Sequence, residues 1–302
     1  MKENTLEKIS EKGGTPMIGA IVGDIAGSRF EWNNHRSKIF ALLPDSCFFT
    51  DDSIMSLAVC DAILKSRADK TPLADEAVRS MQSLGRPYPD ADYGASFFHW
   101  IYSDHPRPYN SYGNGAAMRV SACGYAGRTI EEVRTLSRTV TAVSHNHKEG
   151  LKGAEATAVS VFLARSGMSK EELRRYVNRN YYAIDFTLDN IRDTYEFNET
   201  CQETVPQALE AFFESVSFED AIRNAISIGG DSDTIAAITG AVAEACYGVP
   251  DDIRKRALSF LDDRLLAVLS AFEREFPPKE IISVEGQTAA PDTSNPIHSL
   301  HS

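Results

Sequence analysis

Two short runs, Thr50-Asp51-Asp52-Ser53 and Asp231-Ser232-Asp233-Thr234, each crowd two carboxylates and two hydroxyls into four consecutive residues. Each run precedes an apolar stretch of helical period, beginning at Ile54 and at Ile235, so each sits where a helix starts. A single Asp, Ser or Thr satisfies the free N–H groups of a helix start, so either run alone reads as a cap. The pair reads differently. Four carboxylates at two helix starts repel one another, and a cation relieves that repulsion. Every donor is a hard oxygen, with no Cys or His in either run, which points to magnesium or manganese, less to calcium, and away from zinc or copper. Two ions have ligands enough to share such a site.

Two other acidic motifs fit less well. An EF-hand needs a longer loop with a central Gly and a terminal Glu, whereas the residues after Asp231 run on into ITGAVAEA, a helix. A DxD followed by Thr also occurs in haloacid-dehalogenase phosphatases, but there it follows an apolar strand near the chain start. Here it follows Gly229-Gly230. Elsewhere, Gly113-Asn114-Gly115 before AAMRVSACG reads either as an ordinary Asn-Gly turn or as a turn opening into a helix, with backbone N–H groups aimed at an anion such as a diphosphate. His145 and His147 stand two apart, before a periodic helix, and so share no helical face as paired zinc ligands would. Glu31, flanked by Arg29 and Arg36, is either a surface ion pair or a carboxylate near reacting atoms. The aromatics from Tyr93 to Tyr112 read mostly as core.

The elements that must position these residues are helical. Ile54, Leu57, Ala58 and Leu64, then Leu151, Ala154, Ala158 and Phe162, then Ile235, Ile238, Val242 and Ala245 recur at helical spacing, and alternating β-branched runs are scarce. We expect one all-α domain over 17–276, without tandem repeats or a dividing linker. Residues 1–16 mix Lys and Glu and read as a flexible extension, and the polar, breaker-rich 277–302 as a disordered tail. A net charge of −12 disfavours nucleic acid as a partner. The longest apolar stretch, Ile235 to Cys246, contains Glu244 and is too short for a membrane span. The 5 cysteines are scattered without a CxxC pair, which suits a reducing cytoplasm and neither a disulfide framework nor a zinc knuckle.

Five segments in order, GDIAGSRFE from Gly23 to Glu31, TDDS, SYGNGAAMR, SHNHKEGLKGAEA and GGDSDT, resemble the ADP-ribosylglycohydrolase family, relatives of dinitrogenase reductase-activating glycohydrolase. The resemblance runs from about Met17 to about Pro250. It implies an orthogonal bundle of many helices around a two-magnesium site at the bottom of a cleft for ADP-ribose. The ligand positions carry over onto Thr50, Asp51, Asp52, Asp231, Asp233 and Thr234. The diphosphate loop falls on Ser111, Tyr112, Gly113, Asn114 and Gly115, His145 becomes a contact to ADP-ribose, and Arg119 a support of the helix. Glu31 takes the place of the motif glutamate. Cleaving the bond at the anomeric carbon passes through an oxocarbenium-like state, for which Glu31 or Asp52 would move the water's proton. The implied substrate is an ADP-ribosylated protein. Some bacterial relatives protect against ADP-ribosyltransferase toxins, which implies a cognate transferase as partner. A binding protein without turnover and a metal-dependent phosphoryl hydrolase are the alternatives, and the intact ligand set weighs against the first.

Overall fold

The computed structural model describes residues 16–277. The extension expected over 1–16 and the tail expected over 277–302 therefore lie, but for Pro16 and Pro277, outside the described residues. Among the described residues the regular structure is all α, as expected. The helices are α1 (Ile18–Gly27), α2 (Asp51–Asp69), α3 (Leu73–Gly85), α4 (Ala95–Tyr102), α5 (Ser121–Ala126), α6 (Ile130–Ala142) and α7 (Lys148–Arg165). They continue with α8 (Lys170–Asn180), α9 (Leu188–Ile191), α10 (Cys201–Phe213), α11 (Phe218–Ile226), α12 (Ser232–Tyr247), α13 (Asp251–Leu258) and α14 (Asp263–Glu275). One isolated antiparallel bridge pairs Gly113 with Thr200. No helix among the described residues is long and apolar enough to cross a membrane, and all five cysteines are free.

The centre of the bundle is the contact between α1 and α12. Every residue of α1 is buried, as is α12 from Ser232 to Glu244, so neither helix has a polar face to show to water. Gly19, Gly23 and Gly27 recur every fourth residue and form one stripe along α1. A Cβ on Gly23 would lie 2.0 Å from the Ala236 carbonyl oxygen, and one on Gly27 2.4 Å from the Asp233 Cα. From the other side, a Cβ on Gly240 would meet the Gly19 carbonyl oxygen at 2.1 Å. The two backbones thus touch along their whole length, antiparallel. The register is fixed at the far end by the buried Glu244 carboxylate, which accepts from the N–H groups of Met17, Ile18 and Gly19 at 3.0–3.2 Å. That contact satisfies the orphan donors that open α1.

A second buried carboxylate ties α1 to α2. Asp24 accepts from Thr50 N (3.0 Å), Thr50 Oγ1 (2.7 Å) and Ser53 N (3.1 Å), with a further short bond from Ser53 Oγ. The N-cap acceptor of α2 is Thr50, whose hydroxyl takes the Asp52 N–H at 3.3 Å. Asp51 and Asp52 are therefore spared from capping.

Overpacking a tight interior commonly costs about 1–3 kcal/mol, and here the added methyl would strike backbone that cannot swing aside. Gly23→Ala is expected to lose at least that much stability, read as a lowered urea midpoint at unchanged slope. A variant as stable as the parent would mean that the two helices do not meet as closely as described.

Candidate active site

The two acidic runs, 179 residues apart between Asp52 and Asp231, meet in one cavity of about 580 Å³. That volume lies within the range of roughly 300–1,000 Å³ usual for ligand clefts. Asp51, Asp52, Asp231, Asp233 and Thr234 line it, together with Glu31, Ser111, Tyr112, Gly113, Asn114, Gly115, Arg119 and His145. Of the residues expected at the site only Thr50 stands behind the wall, fully buried against Asp24. The runs touch directly where Thr234 Oγ1 donates to Asp52 Oδ2 at 3.1 Å.

Local structure explains the convergence. Gly229 and Gly230 adopt φ of 72° and 75°, the left-handed region open to glycine, and so turn the chain sharply into α12. Asn34 holds that turn by a reciprocal pair with Gly230, Nδ2 donating to its carbonyl and Oδ1 accepting its N–H, both at 2.8 Å. Arg36 adds bonds to the carbonyls of Ile228 (2.9 Å) and Tyr195 (2.6 Å). The loop after α1 is thereby fastened beside Asp231, which places Glu31 near it. One carboxylate oxygen from each of Glu31, Asp231 and Asp233 falls within 4.8 Å of the others.

Burial, followed by mutual repulsion, dominates the electrostatics. Asp51, Asp52 and Asp233 are held well above the usual carboxylate range, first by desolvation and then by neighbouring carboxylates. Glu31 is pushed up to about 8 by burial and by Asp231, Asp92, Asp24 and Glu199, in that order. Asp52 Oδ1 is buried with no hydrogen-bond partner. An orphaned carboxylate oxygen beside a clustered acidic triad, all hard donors, fits a divalent cation of the magnesium type.

The Ser111–Gly115 loop lines the same cavity and touches the acidic run. It is pinned to the segment before α10, with Asn114 N donating to Glu199 O at 2.7 Å and Cys201 N to Tyr112 O at 3.0 Å. Two details differ from expectation. Residues Asn114–Ala116 form a 3₁₀ turn and α5 begins only at Ser121, so the loop does not open directly into an α-helix. The Asn114 side chain also turns to the acidic floor, with Nδ2 donating to Asp231 Oδ2 at 2.7 Å and to Thr204 Oγ1 at 3.1 Å. The glycines leave room for the imidazole, since a Cβ on Gly115 would lie 3.4 Å from His145 Nε2. His145 is buried and its basicity is depressed well below normal by burial and by Arg119. His147 instead caps α7, its Nδ1 accepting from Glu149 N at 3.2 Å.

Three contributors, Asp24, Asp92 and Glu199, and one role, that of the Asn114 side chain, escaped the reading of the sequence. Asp24 positions the first acidic run, and its place within Gly23-Asp24 was the available signal. The Asn114 side chain steadies Asp231. Asp92 and Glu199 line the mouth and are exposed. Asp92 has a φ of 60°, uncommon outside glycine, and its loop rests on α2 through the bond from Asp51 N to Ala91 O at 2.9 Å.

The profile described as ADP-ribosylglycohydrolase matches residues 12–279. The protein named ADP-ribosylhydrolase ARH3 from Mus musculus is 26% identical over 83% of this chain and 88% of its own length. ADP-ribosylarginine hydrolase Tri1 from Pseudomonas putida is 24% identical over 84% of this chain and 76% of its own. A solved structure titled ADP-ribosylglycohydrolase-related protein complex has the same fold, with a TM-score of 0.60 at 23% identity over 91% of this chain and 99% of that one. With both acidic runs, the glycine-rich loop and the matched profile falling on one continuous domain, the chain belongs to the ADP-ribosylglycohydrolase family.

Proposed function

We propose that this protein hydrolyses the glycosidic bond between ADP-ribose and an arginine side chain of a modified protein, reversing ADP-ribosylation. The observation that carries this is the meeting of Asp51, Asp52, Asp231 and Asp233 in one cavity with the Ser111–Gly115 loop and His145. Two magnesium ions, replaceable by manganese, would be held by Asp51, Asp52, Asp231, Asp233 and Thr234, with Thr50 reaching them only if its hydroxyl turned from Asp24, and would supply orientation of the ribose hydroxyls and an acidified water. The glycine-rich loop and His145 take the diphosphate side. Glu31 is the preferred acid-base group: it reaches the cavity from a half-buried position, and burial and the carboxylates around it raise its affinity for a proton. As the bond from the anomeric carbon to the acceptor nitrogen breaks, Glu31 passes a proton to the leaving nitrogen. It recovers one from the water whose oxygen joins that carbon. Asp52, the other candidate, is buried with Oδ2 already engaged by Thr234.

The rim supports a cationic acceptor. Trp32 follows Glu31 and is 73% exposed, and its ring stacks on Phe197 at 5.0 Å. Glu31, next to Trp32 in the chain, and Glu199, two residues after Phe197, line the cavity with Asp92. A guanidinium stacks on indole and pairs with carboxylates, whereas a serine hydroxyl uses neither. The name of the Pseudomonas relative specifies ADP-ribosylarginine. A cognate ADP-ribosyltransferase would make the substrate, in a reducing cytoplasm that suits five free thiols.

Offered ADP-ribosylated arginine, serine and nucleobase substrates and O-acetyl-ADP-ribose, the protein should release free ADP-ribose from arginine with magnesium and not with chelator, as read by mass spectrometry. Asp231→Ala should abolish that turnover while keeping the helical circular dichroism, and full activity in the variant would end the metal assignment.

The clustered carboxylates bind more protons folded than unfolded, so without divalent cation the stability should fall as pH rises from about 4 towards the Glu31 value of about 8. Magnesium should raise the melting temperature most at the alkaline end and release protons, measurable by calorimetry in two buffers of different ionisation enthalpy. Neither effect at millimolar magnesium or manganese would leave the site without its ion.

An exposed cation–π contact contributes about 0.5–1 kcal/mol, so Trp32→Ala should raise KM for an ADP-ribosyl-arginine peptide about two- to fivefold. Inhibition by free ADP-ribose should not change. Equal loss on arginine and serine substrates would remove the rim from acceptor choice.

A further inference from the structure

Arg119 is fully buried at the cavity lining, beside His145, and takes no part in the chemistry assigned above. Its Nη2 donates to Ser144 Oγ at 2.7 Å and lies 3.2 Å from His145 Nδ1. Ser144 Oγ is itself 2.8 Å from the same Nδ1. A guanidinium carries donors only, so an imidazole nitrogen facing it must accept. A neutral imidazole that accepts at one nitrogen carries its proton on the other. That other nitrogen, Nε2, faces the glycine-rich loop, where Cβ atoms on Gly113 and Gly115 would stand 3.7 and 3.4 Å away. The imidazole is walled by Phe97 and Tyr109, with ring centroids at 5.9 and 5.6 Å, and the guanidinium lies over Phe97 at 5.0 Å.

The cost of this arrangement argues against a role in packing alone. Nε and Nη1 of Arg119 are buried without hydrogen-bond partners. Leaving donors of a cation unpaired in the interior is unfavourable, and an apolar side chain of similar size would avoid that penalty.

We propose that Arg119 is a positioning residue that fixes His145 as the Nε2–H tautomer, so that the loop side of the cavity presents a hydrogen-bond donor matched to an anionic oxygen. The identity of that oxygen, a diphosphate oxygen of ADP-ribose, rests on the function proposed above. The tautomer itself does not.

The test is nitrogen-15 NMR of the histidine rings in the full-length protein, with the His145 signals assigned by their loss in His145→Ala. The wild type should show Nδ1 unprotonated and Nε2 protonated. Arg119→Gln, whose amide can accept as well as donate, should admit the Nδ1–H form and weaken ADP-ribose binding about tenfold. Arg119→Lys, still a pure donor, should restore the wild-type tautomer. Ser144→Ala should keep it. An Nδ1–H ring in the wild type, an unchanged ring in folded Arg119→Gln, or a switch in Ser144→Ala would each overturn the proposal. If Arg119→Gln does not fold, the wild-type and Ser144→Ala spectra decide. A purely structural Arg119 would lower the melting temperature of its variants and leave the tautomer alone. Unaltered ADP-ribose affinity in His145→Ala would remove the ligand reading of this histidine and leave the tautomer result standing.

Discussion

Backbone-to-backbone contact between α1 and α12 is the constraint on which the site depends. Because nothing larger than hydrogen fits at Gly23 and Gly27, α1 ends directly on the Cα of Asp233, and the chain beyond it emerges at the second acidic run. The opposite edge of α1 carries Asp24, which gathers Thr50 and Ser53 and so delivers the first run to the same place. One helix of ten residues thus sets the separation of both groups of carboxylates. Close packing of this kind is stiff, so the core sets the spacing that the loops around the site then hold.

The acidic floor is a local instability accepted for function. Four aspartates and a glutamate share a cavity, each destabilised in its charged form by burial and, for all but Asp231, by neighbouring carboxylates. Some of the strain is met by protein groups, such as the Asn114 amide on Asp231 and the Thr234 hydroxyl on Asp52. The remainder, typified by Asp52 Oδ1, is left open. Sites that violate the ordinary satisfaction of buried polar groups are where ligands are to be expected.

Much of this was legible in the sequence, and the boundary is physical. Helical period in α2, α7 and α12 gave the all-α class, because burial on one face repeats with the helix turn. The surplus of carboxylates over what capping requires gave the metal hypothesis, and Thr50 indeed caps α2 while Asp51 and Asp52 do not. What stayed hidden depended on partners distant in the chain. Asp24 reads as part of a glycine motif until Thr50 and Ser53 fold onto it. Asn114 reads as a turn residue, yet its side chain spans 117 positions to Asp231. Asp92 and Glu199 sit in segments with no periodicity to mark them. The 3₁₀ turn after Gly113 was also missed, since the sequence offers no stop signal between the turn and α5.

The bridge between Gly113 and Thr200 has a mechanical consequence. It staples the far end of the excursion that carries Phe197 and Glu199, whose other end leaves from α9. Midway, the Tyr195 carbonyl accepts from Arg36, which also holds the Ile228 carbonyl just before the glycine turn. A change of length in that stretch would therefore be transmitted to the turn that aims the second pair of carboxylates.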